Sequence, residues 1–211
     1  MYKNKTLLMT HVKEHATIYL FMVILFLTGI IFGAILVNSM NFIQKQDLFF
    51  YLERFFGQIA DNQEMERMDI FKSSFLYHTK YLLLLFILGL SVIGLPLVWV
   101  LIFIKGLVVG FSVGFIVNQL GFDGLLLAAL SIAPQNMLII PIYITAGSLS
   151  MIFSLTLLSK LFTRKMAQPV FQPFGKYVTL FSFLVAFSCI AALLESFVSN
   201  EAMQMLIRSF Y

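Results

Sequence analysis

Residues 124–159 read GLLLAALSIAPQNMLIIPIYITAGSLSMIFSLTLLS, a stretch with no Asp, Glu, Lys or Arg that still holds Pro134, Gln135, Asn136 and Pro141. A helix needs about 20 apolar residues to cross a bilayer, so the run is too long for one plain crossing. Two internal prolines interrupt its hydrogen-bond ladder, which makes it too irregular for an ordinary pair of helices. Backbone groups freed at membrane depth must be met by protein or by water in a cavity. The stretch therefore predicts a polytopic membrane protein with a broken or re-entrant element near 124–141. The expected path is a short element ending near Pro134, a turn through Gln135 and Asn136, and one full crossing from about Pro141.

Composition points the same way. The 211 residues are 60% hydrophobic and 11% charged, with a mean hydropathy of +0.94. Soluble domains carry roughly 25% charged residues, so this inventory cannot make a water-facing surface. The predicted fold class is all-α, a single integral membrane domain over 1–211 with about five transmembrane helices. The net charge of +4 is read through its distribution between loops, and no nucleic-acid partner is expected. The lone Cys189 cannot form an intramolecular disulfide and reads as a small residue facing lipid or another helix.

Five apolar segments are bounded by charges: Ala16–Val37, Tyr81–Ile104, Gly106–Phe122, the broken run Gly124–Ser159, and Tyr177–Leu194. Orientation follows from Lys and Arg in short loops. The N-terminal flank has Lys3, Lys5 and Lys13 against Glu14, and the 160–176 loop has Lys160, Arg164, Lys165 and Lys176 with no acid. Both are expected on the cytoplasmic side, which requires an even number of crossings between them. That makes 1–15 a cytoplasmic tail, 38–80 an extracytoplasmic loop, 160–176 a cytoplasmic basic loop and 195–211 an extracytoplasmic tail. The turn between the second and third spans falls at Lys105 or at Gly94-Leu95-Pro96. Lys105 is favoured, because a turn at Pro96 leaves that cation in the membrane at a cost of about 3 kcal/mol or more.

The 38–80 loop contains DLFFYLERFFGQIA, in which Leu48, Tyr51, Leu52, Phe55 and Phe56 share one helical face. Such spacing suits an amphipathic helix on the outer bilayer surface, or a docking face for extracytoplasmic partners. Gly106, Gly110 and Gly114 recur every fourth residue, and Gly29 with Gly33 form a shorter copy. Small residues at this spacing let helices approach closely in lipid. Packing within the chain and self-dimerisation as a homodimer are both compatible with it.

Asn118, Gln119, Gln135 and Asn136 are the polar residues expected inside the membrane. They serve either as hydrogen bonds to neighbouring helices or as the lining of a polar cavity for a ligand or partner helix. Asp123 and Glu195 fall at span edges, which leaves a proton relay little to work with. His11-Val12-Lys13-Glu14-His15 matches the H-x-x-E-H zinc-protease pattern. It sits on a short tail without a cleft-forming domain, so a basic juxtamembrane face is the better reading. Gly147-Ser148 has no histidine within a span to act as its base. No phosphate loop or dinucleotide fingerprint is present. No catalytic residue, metal or cofactor is expected.

Several stretches carry a resemblance: KEHATIYLF at 13–21, FFGQ at 55–58, ILGLSVIGLPLVWVLIFIKGLVVGFSVGFIVNQLG at 87–121, PQNMLIIP at 134–141 and QPVFQPFGKY at 168–177. In this order, over nearly the whole chain, they resemble stage II sporulation protein M of endospore-forming Firmicutes. The outer loop around DNQEMERMD at 61–69 departs from it. The resemblance implies a non-enzymatic scaffold in the mother-cell membrane. Such a scaffold joins two peptidoglycan-degrading partners, stage II sporulation proteins D and P, and anchors them at the septum for septal thinning and forespore engulfment. The alternative is a small transporter or channel that uses the broken 124–159 segment as a discontinuous helix. That class calls for an inverted repeat or a buried charge, and neither is evident in the sequence.

Overall fold

The computed structural model describes residues 13–60, 67–162 and 171–199, and the regular elements among them are all helical. In chain order they are α1 (Ala16–Ser39), α2 (Phe42–Ala60), α3 (Arg67–Gly89), α4 (Gly94–Leu127), a π-helical segment π1 (Ala128–Ile132), α5 (Ala133–Phe162), α6 (Phe171–Leu194) and a second π-helical segment π2 (Glu195–Ser199). Among the described residues four stretches are long and apolar enough to cross a membrane: Ala16–Ser39, Gly94–Leu130, Ala133–Lys160 and Gln172–Phe197. Helices that are apolar all round belong inside a core or in lipid. The exposed side of α1, with Leu20, Ile24, Leu27, Ile31 and Ile35, is suited to lipid.

The tightest packing lies between α1 and α4. A Cβ built on Gly29 would strike the Phe103 carbonyl, one on Gly33 the Leu107 carbonyl, one on Gly106 the Phe26 carbonyl and one on Gly110 the Ile30 carbonyl. Gly114 is looser, its Cβ position lying 3.4 Å from the Ala34 Cα. The two glycine stripes thus cover one another within the chain, and their register sets α1 and α4 running in the same direction. The pairs Ile102–Gly147 and Lys105–Tyr143 set α5 against α4. His78–Tyr143 and Leu85–Ser150 set α3 alongside α5, and Tyr177 against Phe86 with Glu195 near Ser74 sets α6 against α3. The shared core is Met22, Phe26, Leu82, Leu85, Val98, Ile102, Ile139, Tyr143, Phe153 and their neighbours.

Three expectations are corrected. The turn between the second and third apolar segments is not at Lys105. The chain turns between Gly89 and Gly94, and α4 runs on through Lys105 without interruption. Pro96 sits in the first turn of α4, where its missing N–H costs nothing. A Cβ on Gly94 would strike the Leu88 carbonyl, and the Ser154 hydroxyl donates to the Ser91 carbonyl at 2.9 Å to pin the turn.

Secondly, Gln135 and Asn136 do not form a turn, because α5 is helical through both. The irregularity expected near 124–141 appears as π1, immediately before Pro134. A proline ring clashes with the carbonyl four residues back, and the wider π turn makes room for it. The Asn136 side-chain amide donates to the Ile132 carbonyl at 2.8 Å. The sharp bend lies earlier, at Gly121, with φ 60° and ψ −128°. Gly124 there doubles back onto the Ile116 backbone.

Thirdly, the 38–80 segment is not only a peripheral loop. From Arg67 onward it is the first half of α3, with Ser74 and His78 buried in the bundle. By contrast α2, among the described residues, has no substantial packing against another helix.

Candidate functional site

A cleft of about 670 Å³ opens between α3, α4, α5 and π2, lined by Asp69, Ser74, Tyr77, His78, Lys105, Ser112, Gln135, Asn136, Glu195 and apolar neighbours. Its depth follows from the glycine packing. Lys105 is next to Gly106, whose Cβ position lies 3.3 Å from the Cα of Gly29, near the middle of α1. The cation therefore sits at the level of the centre of a membrane-crossing helix.

An ammonium at that depth needs compensation. The Lys105 Nζ donates to the Tyr77 hydroxyl at 3.1 Å. It also lies 4.6, 5.5 and 4.9 Å from the ring centroids of Tyr77, Tyr81 and Tyr143. Each cation–π contact is worth about 0.5–2 kcal/mol, so three of them with a hydrogen bond offset the cost that argued for a turn here. Residues 77 and 81 are one helical turn apart on α3 and share a face. Tyr143 comes from α5, and the Tyr81 hydroxyl is held by the Leu101 carbonyl at 2.7 Å.

Glu195 forms the other pole. It begins π2 at the end of α6 and projects toward α3 and α5. Its carboxylate accepts a hydrogen bond from the Ser74 hydroxyl. The Gln135 carboxamide, oriented with its nitrogen toward the carboxylate, donates at 2.8 and 3.3 Å. The His78 Nε2 lies 3.7 Å from Glu195 Oε2, and its Nδ1 is 2.7 Å from the Tyr143 hydroxyl. A proton on Nε2 faces the carboxylate, and the Tyr143 hydroxyl then donates to Nδ1. His78 is 6% exposed and Tyr143 is fully buried, so this pair is shielded from solvent.

Of the polar residues expected inside the membrane, Gln135 and Asn136 line the cleft. Asn118, Gln119, Pro134 and Pro141 are not among its lining residues; Asn118 is exposed on α4 and Gln119 half-buried. The glycines Gly29, Gly33, Gly106, Gly110 and Gly114 lie together between α1 and α4, away from the cleft. On α2, Leu48 and Leu52 are half-buried and Tyr51 is 70% exposed. The side chains of Phe55 and Phe56 lie outside the described residues, as do Lys3, Lys5, His11, Arg164 and Lys165 and the tail beyond Ser199. Ser148 is buried and donates to the Ile144 carbonyl at 2.8 Å. Among the described residues no group of His, Cys, Asp and Glu could hold a metal.

Lys105, His78, Glu195 and Tyr143 are the residues that span reading missed. One signal was available. Lys105 is the sole charge between Tyr81 and Phe122, and an isolated charge in such a stretch marks a functional site by default.

Long apolar helices around a small polar cleft define a helical integral membrane protein. Residues 22–200 match the family model described as stage II sporulation protein M. The chain belongs to that family, and is a membrane protein related to sporulation. No curated protein and no solved structure matches it.

Proposed function

We propose that the protein is a non-enzymatic membrane scaffold. It recruits and anchors the peptidoglycan-degrading stage II sporulation proteins D and P at the sporulation septum, for septal thinning and forespore engulfment. The observation that carries this reading is α2, an amphipathic helix that shows no substantial packing against another helix among the described residues. A helix built to complete its own core would be packed against it. Membership of the family supports the choice of partners.

The cytoplasmic N-terminus and the location at the engulfing membrane belong to the same proposal. Because α5 runs against α1, Lys13 at the start of α1 and Lys160 near the end of α5 fall at one end of the bundle. Cations gathered at one end favour the cytoplasmic side there, with α2 and the C-terminus on the other.

The test is co-purification from membranes of sporulating cells. Wild type is expected to capture both hydrolases, and Leu48→Glu with Tyr51→Glu to capture neither while melting normally. Undiminished capture and normal engulfment by that double variant would remove α2 from the mechanism. A second reading, a small transporter or channel, is favoured by the half-buried charges of Lys105 and Glu195. Solute flux into liposomes containing the purified chain alone would decide for it.

A further inference from the structure

We propose that the cleft binds a phosphate group, with Lys105 supplying the charge and Ser73, Ser112 and Asn136 supplying further hydrogen-bond donors. The argument rests on which polar groups in the cleft are already committed. Glu195 has its oxygens occupied by Ser74, Gln135 and the facing edge of His78. Asp69 has a cation of its own, Lys72, at 3.7 Å.

Lys105 is different. Among the described residues its ammonium makes no ion pair and donates one hydrogen bond, to Tyr77. An ammonium has three donors, so two remain for the cleft. The hydroxyls of Ser73 and Ser112 line the same space without a hydrogen-bond partner among the described residues, and the Asn136 amide uses one of its two N–H groups on Ile132. Spare donors on half-buried Lys105, Ser112 and Asn136 and on exposed Ser73 suit an anion with several acceptor oxygens.

A phosphate group meets that description. It spreads its charge over oxygens that accept from Lys and hydroxyl donors together, and small-molecule clefts run to about 300–1,000 Å³, which includes this one. The apolar part of the lining, with Ile70, Val108, Val109, Ile132 and Ile139, accommodates the hydrocarbon next to a lipid headgroup. The cleft extends from exposed Asp69 to Lys105, which is a route for either a headgroup or a free anion. This inference is independent of the scaffold reading.

The test uses the full chain in dodecyl maltoside. It is titrated with phosphatidylglycerol, with diacylglycerol of the same acyl chains and with inorganic phosphate. Bound lipid is read by native mass spectrometry and bound phosphate by thermal shift. Removing a charge-assisted contact costs about tenfold or more in affinity, so phosphatidylglycerol is expected to bind at least about tenfold tighter than diacylglycerol. Lys105→Gln is expected to abolish that preference, and Lys160→Gln, outside the cleft, to keep it. A lipid preference without a phosphate shift identifies a headgroup, and a phosphate shift without a lipid preference identifies a soluble anion. Either sustains the site provided that Lys105→Gln removes it. Absence of both responses in wild type, or their survival in Lys105→Gln, overturns it. Should Lys105→Gln fail to accumulate, Ser112→Val decides. A loss of about tenfold is expected for one hydrogen bond to a charged group, and no change would reject the site.

Discussion

Two sides of α4, more than a third of a turn apart, are built on opposite terms. One meets α1 through Gly106 and Gly110, with backbone against backbone and no room for a side chain, and through Gly114 at ordinary contact distance. The other carries Lys105, Val109 and Ser112 and opens on the cleft. The glycine side gains its stability from close contact, since lipid offers no hydrophobic drive to press helices together. On the cleft side, Ser74, Gln135 and His78 gather around Glu195 and Tyr77 meets Lys105, while other donors in the lining stay uncommitted. A rigid α1–α4 pair is what allows the neighbouring side of α4 to stay open without collapsing.

The contrast breaks most sharply at Gly110. Gly110→Leu would overlap the Ile30 backbone, which cannot withdraw as a flexible side chain would. A loss of more than about 4 kcal/mol is expected, beyond ordinary overpacking, and detergent-extracted protein should appear aggregated in size-exclusion chromatography. On the cleft side, Glu195→Ala strips partners from Ser74, Gln135 and His78 together. It is expected to destabilise by about 3 kcal/mol, because buried polar groups left unpaired are costly. Chemical denaturation in mixed micelles would read that loss.

Smaller effects sharpen the same comparison. Gly121→Ala meets no atom within 4 Å but must keep φ 60° and ψ −128°, a conformation outside the left-handed helical region, so a loss of about 1–3 kcal/mol from backbone strain alone is expected in the same denaturation assay. Tyr143→Phe removes the hydroxyl beside His78 Nδ1 and is expected to cost about 1–2 kcal/mol. Gly114→Ala has ordinary contact distances on all sides, and its melting temperature should stay within about 2 °C of wild type. If Gly114→Ala proved as damaging as Gly110→Leu, the register of the α1–α4 pair would be wrong.

Class and helix content were legible because they depend on composition, and a helical face can be read from spacing alone. That is why Gly29, Gly33, Gly106, Gly110 and Gly114 could be singled out before their partners were known. Lys105 could not be placed this way. The cost of burying it was correct, but the tyrosines that offset it come from other helices, Tyr143 from well beyond the Gly121 bend. Glu195 looked peripheral because it ends an apolar run, and only the packing of α6 against α3 brings it to His78. The prolines of 124–159 were read as a break in the path, whereas a local widening of the helix suffices to seat Pro134.

The shared heading of α1 and α4 has one more consequence. Neighbours that point the same way cannot be joined by a simple hairpin, so the intervening chain must travel back through the full thickness they occupy. Here that return leg falls to α3, whose first half carries Arg67, Asp69 and Lys72 and is too polar to volunteer for hydrocarbon. Chain topology, rather than side-chain preference, conscripts it, and the polar interior of this bundle is what that conscription leaves behind.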